Sequence, residues 1–366
     1  MSAQTHMPRS AWVFPALAVL LVAATLIPSL GIGFTNSAAG LVFAAVLLVI
    51  LFGTVFAAVH HAEVIAHRIG EPYGTLLLTM AVTIIEVAMI ATIMLGEKDV
   101  PTLARDTVFA VVMIVCNGLV GICILSGGLR FREQTFQVTG VNVYLCVLIV
   151  FATITLILPN YTLTTPGPVY SQLQLAFVSV VTIILYGVFL YTQTILHRDF
   201  FIVESDDDDA HAPANSRMML VSLVLLLVSL GAVVMMAKKF SLVVDAGAAL
   251  IGAPTAFAGI VVALLVLLPE SVAAVAAARK NQLQKSINLA LGSSLATIGL
   301  TVPAVAVMAY VLDKNLVLGL GPQEMVLLIM TILLSTLTLG TGRSNILFGM
   351  VHVLVFAVFI FLVFAP

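Results

Sequence analysis

The chain has 366 residues, 61% of them hydrophobic and only 9% charged, with a mean hydropathy of +1.20. A soluble globular protein carries roughly a quarter charged residues, so a soluble enzyme and a disordered scaffold are excluded. The formal net charge of −2, from 15 basic and 17 acidic residues, leaves no basic surface for nucleic acid.

A membrane-spanning helix needs about 20 mostly apolar residues. Such runs predict eleven spans, at about 12–30, 39–59, 73–95, 106–128, 140–158, 172–195, 218–237, 252–277, 286–311, 323–340 and 345–364. The fold class is therefore an all-α polytopic membrane protein. Arg9 precedes the first run, but Pro15 and Pro28 interrupt it and no small-x-small site follows, so it reads as a retained helix. Cys116, Cys123 and Cys146 lie in apolar runs without metal or disulfide spacing and read as packing residues. Connections are short except at 197–217, which holds Glu204-Ser205-Asp206-Asp207-Asp208-Asp209.

Basic residues set the orientation. With the N-terminus inside, Arg9, Arg68, Arg130, Arg132, Arg198, Arg217, Arg279, Lys280, Lys285 and Arg343 are cytoplasmic. Lys98, Arg105, Lys238, Lys239 and Lys314 are outside. Ten against five places the acidic loop in the cytoplasm and the C-terminus outside.

Setting aside 1–38, the remainder divides into a five-helix segment at 39–197, the cytoplasmic loop 198–217, and a second five-helix segment at 218–366. The segments enter from opposite sides. Inverted repeats of this kind are a transporter signature, with substrate held near the midplane where they meet. The second helix of each half carries a mid-helix glutamate, Glu86 and Glu270, and the next helix carries Cys116-Asn117-Gly118 or Gly292-Ser293-Ser294. Asp106 and Glu324 fall near helix ends, within reach of water.

An ionised carboxylate at mid-bilayer costs several kcal/mol, so it should face a partner or a water-filled cavity. Thr75, Thr79, Thr83 and Glu86 share one helical face. Gly259, Ala263, Glu270 and Ala274 form a small-residue face, and Pro269 should free carbonyls on the preceding turn. Glu86, Glu270, Asn117, Ser293 and Ser294 are hard oxygen ligands, suited to Ca²⁺ or, with fewer contacts, Na⁺. Glu86 and Glu270 can also hold protons, since repulsion and desolvation both favour their neutral forms. Holding either a cation or protons is the physical requirement for antiport.

Gly70-Glu71-Pro72-Tyr73-Gly74 leading to Glu86-Val87, then Arg105-Asp106-Thr107, resembles the bacterial ChaA-type calcium (sodium, potassium)/proton antiporters. These belong to the cation/proton exchanger branch of the Ca²⁺/cation antiporter superfamily. Tyr191-Thr192-Gln193 with His197, Pro269-Glu270, Ala290-Leu291-Gly292-Ser293-Ser294 and Thr341-Gly342-Arg343-Ser344-Asn345 extend the resemblance over nearly the whole chain from about residue 50. It implies eleven helices, two inverted five-helix repeats, and Glu86 and Glu270 as the ion-binding and proton-coupling carboxylates, in a bacterial inner membrane. Wider relatives often have Gly-Asn-x-x-Glu in the first repeat and Glu-His in the second. Here Val82-Thr83-Ile84-Ile85-Glu86 lacks that Asn, and Ser271 follows Glu270. Na⁺ and K⁺ therefore stand beside Ca²⁺ as substrates.

The expected partners are transported cations, protons and lipid, with no cofactor and no nucleic acid; a homo-oligomer is compatible with the pattern. His60, His61, Glu63 and His67 look metal-rich but read as an interfacial helix end, with pH sensing as the other reading. The Asp206–Asp209 run lacks the glycine and terminal glutamate of an EF-hand loop and reads as a solvated linker, with cation capture near the cytoplasmic mouth or regulation as the other reading. No phosphate-binding loop or Asp-Lys-Thr-Gly motif points to an ATP-driven pump. An intramembrane hydrolase would need a base beside a nucleophile or metal, and a cation channel would need a ring or filter. An antiporter, rather than an enzyme, is the expectation.

Overall fold

A computed structural model describes residues 8–27, 33–35, 37–70, 73–96, 100–201, 216–254 and 256–365. Eleven of its helices are long and apolar enough to cross a membrane. They are α1 (Arg9–Leu26), α2 (Ala38–Ile69), α3 (Tyr73–Met94), α4 (Leu103–Phe131), α5 (Val138–Tyr161) and α6 (Gln172–Leu196). The others are α7 (Arg217–Ile251), α8 (Ala256–Ala278), α9 (Leu283–Val311), α10 (Pro322–Leu339) and α11 (Ile346–Phe364). The acidic run at 206–209 lies outside the described residues.

Each expected span corresponds to one helix, but α2 and α7 outrun their apolar windows by about ten residues or more. Apolarity marks the bilayer; the helix itself ends only where the backbone is stopped. Both end at a glycine with positive φ, Gly70 (φ 77°) and Gly252 (φ 63°), which a residue with a Cβ rarely adopts. Glu63 and Asp245 lie in these extensions and so are helical, although neither falls in an apolar window.

The chain folds into two compact units, each drawn from both halves of the sequence. The first spans residues 1–99 and 205–251, and holds α1, α2, α3 and α7. In it α2 packs on α1, α3 and α7. Pro15 has no N–H, so the Ala11 carbonyl one turn earlier loses its helical partner. The imidazole Nε2 of His61 lies 3.0 Å from that oxygen. His61 is fully buried, with the His60 ring 5.7 Å away, centroid to centroid. His61 thus mends a proline break in α1 from within the helix pair.

The second unit spans residues 100–204 and 252–366. α4 and α9 are each 29 residues long and are its most deeply buried spans. Each widens into a π-helical turn near its middle, Ile114–Leu119 in α4 and Thr297–Thr301 in α9. Such π-segments frequently occur at functional sites. α8 packs against both helices. It crosses α4 at Gly259, where a Cβ would stand 2.8 Å from the Thr107 nitrogen.

Connections fasten the two ends of this unit. At one end Gln134–Thr135 pairs antiparallel with Arg343–Ser344. There the Gln134 Nε2 donates to the Ala278 carbonyl at 2.9 Å. Gly342 takes φ 71° in the tight turn that aligns Arg343 and Ser344 for this pairing. At the other end Val317 N donates to Pro101 O and Gly319 N to Pro168 O, each at 3.0 Å. The α4–α5, α8–α9 and α10–α11 connections thus share one end, and the α3–α4, α5–α6 and α9–α10 connections the other. That alternation is what successive spans require.

Candidate cation site

In the first unit, Glu86 is 1% exposed and Thr83 7% exposed, while Thr75 and Thr79 are half-buried. The polar stripe therefore deepens along α3 toward the carboxylate.

The second unit holds the other predicted ligands. Glu270 is half-buried beside the buried Pro269, and α8 runs through that proline unbroken. Pro269 removes the helical partner of the Leu265 carbonyl. Gly259, Ala263 and Ala274 are buried, as the small-residue face requires for close packing. Ser294 is fully buried with its hydroxyl donating to the Leu291 carbonyl at 2.9 Å, and Ser293 is half-buried. Both sit one turn before the π-segment of α9. Asn117 is fully buried in the π-segment of α4. That segment packs on both α8 and α9, so the structure gathers the helices bearing Glu270, Asn117, Ser293 and Ser294.

Asn117 is held on both sides. Its Nδ2 donates to the Thr331 hydroxyl at 2.8 Å, and that hydroxyl points at the Met113 sulfur 3.4 Å away. Its Oδ1 lies 3.2 Å from Nδ1 of His352, whose Nε2 lies 2.8 Å from the Thr338 hydroxyl. A carbonyl oxygen has two lone pairs, so this contact leaves one for a cation. His352 was missed in the sequence reading, although a signal was there: it is the sole polar side chain in α11. A polar residue in a spanning helix is a functional candidate by default.

Small residues let His352 reach Asn117. A Cβ at Gly121 would meet the Val353 side chain at 2.9 Å and the Val353 nitrogen at 3.0 Å; one at Gly349 would meet the Gly121 oxygen at 3.0 Å. The α4 and α11 backbones therefore touch at this crossing. Gly121→Val should lower the stability of the detergent-purified protein by about 1–3 kcal/mol, as overpacking a close contact does. Thermal unfolding would show it, and an unchanged midpoint would contradict the packing described.

Asp106 and Glu324 lie in the first turns of α4 and α10, and each is held by neighbours. Asp106 is 6% exposed, takes the Arg105 guanidinium at 2.7 Å and accepts from the Thr102 hydroxyl at 2.9 Å. Arg105 also reaches the Gly319 carbonyl at 3.2 Å. Glu324 caps α10 through the Gly321 nitrogen at 2.8 Å. These groups border a cavity of about 560 Å³ and act as fasteners between α4 and α10. Among the described residues, no three His, Cys, Asp or Glu side chains gather as a metal cluster.

A sequence model of the sodium/calcium exchanger protein family matches residues 37–195 and 221–365. The chain is 43% identical over 369 residues to y4hA of Sinorhizobium fredii, covering 99% of this chain and 97% of that one. It is 38% identical over 323 residues to the sodium-potassium/proton antiporter ChaA of Escherichia coli, covering 87% of each. In fold it is similar to the solved structure of native YfkE, with a TM-score of 0.74 at 18% identity over 97% of this chain and 100% of that one. The chain belongs to the sodium/calcium exchanger protein family.

Proposed function

We propose that the protein is a secondary cation/proton antiporter of a bacterial inner membrane, with its N-terminus cytoplasmic. It extrudes a cation by alternating access, using inward proton flow. Glu86 and Glu270 carry the cation or the protons, and Asn117, Ser293 and Ser294 supply neutral oxygens. The observation that carries this reading is the pair of carboxylates, one on α3 and one on α8, at matching places in the two matched segments. Two carboxylates balance one Ca²⁺ or two protons, which favours Ca²⁺ as cargo. A second reading, Na⁺ and K⁺ as cargo, is supported by the 38% identity to a sodium-potassium/proton antiporter.

Everted membrane vesicles with an acid lumen test both. Adding Ca²⁺ should release luminal protons if the first reading holds. Release by Na⁺ or K⁺ with no response to Ca²⁺ would establish the second. No response to any of the three would overturn antiport.

The acidic run is a linker in this reading. Changing Asp206 to Asp209 all to Asn should leave the maximal exchange rate intact. Apparent affinity should fall no more than about threefold, and mostly at low ionic strength, because exposed charges are screened by salt. A lost maximal rate at normal expression would make the run part of the mechanism.

A further inference from the structure

We infer that His352 is a positioning residue for cation binding, acting through Asn117; the inference rests on the reading of Asn117 as a ligand. A carboxamide can present either end to a cation, and only its oxygen binds one. The surroundings of Asn117 select the orientation. The Met113 sulfur can only accept, so the Thr331 hydroxyl donates to it and receives the Asn117 Nδ2. That places Oδ1 against His352, which also hydrogen-bonds the Cys116 backbone; in the neutral ring Nδ1 is then the protonated nitrogen, donating toward Oδ1. Nε2 faces the Thr338 hydroxyl, which keeps the ring from turning.

All four side chains, Asn117, Thr331, Thr338 and His352, are at least 95% buried. Water therefore cannot replace a lost partner cheaply. The glycine crossing sets the reach: His352 Cβ would lie 3.0 Å from a Cβ at Gly121, one turn from Asn117. Asn117 also sits in a π-segment, a local departure from the α-helix that is frequent at functional sites. His352 constrains its side chain from a different helix.

Ca²⁺- and Na⁺-driven proton release from everted vesicles tests this with five full-length variants. His352→Ala should raise the KM for the transported cation about fivefold, the worth of one hydrogen bond, with the maximal rate within about twofold. His352→Asn places an amide nitrogen where Nδ1 stood and should restore the KM. His352→Gln reaches the Thr338 side instead and should not. In the Asn117→Ala background, His352→Ala should add nothing, because there is no carboxamide left to orient. An unchanged KM in His352→Ala, with Asn117→Ala impaired, overturns the positioning role alone. An unchanged KM in Asn117→Ala overturns the ligand reading and the inference with it. Should His352→Ala fail to reach the membrane, His352→Asn decides: a raised KM there overturns the inference.

Discussion

Glu86→Gln and Glu270→Gln are each expected to reduce cation/proton exchange by at least about a hundredfold while leaving the protein folded in the membrane. Glutamine keeps the shape of a protonated glutamate, so packing around α3 and α8 survives. It cannot ionise, so the site loses a charge for the cation and a carrier for a proton together. Removing one partner of a buried charge pair costs about 3–5 kcal/mol, which is about two to three orders of magnitude in binding. Exchange assays on vesicles with matched protein levels check this. Normal exchange by either variant at neutral pH would remove that residue from the assignment. A variant that binds cation but releases no protons would separate the two duties that the proposal gives to one side chain.

The eleven spans were legible because the bilayer imposes one demand, a long apolar run, that composition alone reveals. Helix ends were not, because they obey backbone chemistry. Gly70 and Gly252 stop α2 and α7 well after hydropathy has fallen. Glu86 stood out for the reason that it is buried: an acid in an apolar helix is costly. By the same logic His352 was visible as the sole polar residue of α11, but its partner lies 235 positions away in sequence, and nothing local announces it. His61 shows the same limit. Its partner carbonyl is freed by Pro15 on another helix, 50 positions away in sequence.

The arrangement of the chain was harder to read than its elements. A sequence suggests contiguous blocks, and 39–197 with 218–366 follow from helix counting. Packing is a separate property: it groups α7 with α1 to α3, and gathers α4 to α6 with α8 to α11. Helices that face one another need not be neighbours in sequence when each is independently stable in the bilayer. α4 and α9, each 29 residues long, both carry a π-segment near the middle. No simple sequence pattern predicts a π-turn. Asn117 was picked out as a polar residue in an apolar helix, without any hint of the widened turn that holds it.

The KM for the transported metal is expected to fall steeply as pH rises, because a carboxylate must lose its proton before it can hold a cation. For Ca²⁺ held by Glu86 and Glu270, the slope should approach two protons per ion at low pH, about a hundredfold in KM per pH unit. Between the two apparent pKa values of the pair it should fall to about tenfold per unit, and above both it should vanish. Na⁺ need displace only one proton, so its slope need not exceed about tenfold per unit. The comparison therefore reads the cargo as well as the mechanism. Ca²⁺ on two carboxylates carries no net charge, nor do two protonated carboxyls, so the simplest cycle moves no charge across the membrane. Initial rates measured against metal concentration from about pH 6 to 9, with the membrane potential clamped, give the slopes directly. Repeating the series in Glu86→Gln and Glu270→Gln should leave at most a one-proton slope in whatever binding survives. A metal affinity that is flat across this range in the unaltered protein would mean that cation and protons do not compete for these carboxylates, and antiport would have to be coupled elsewhere.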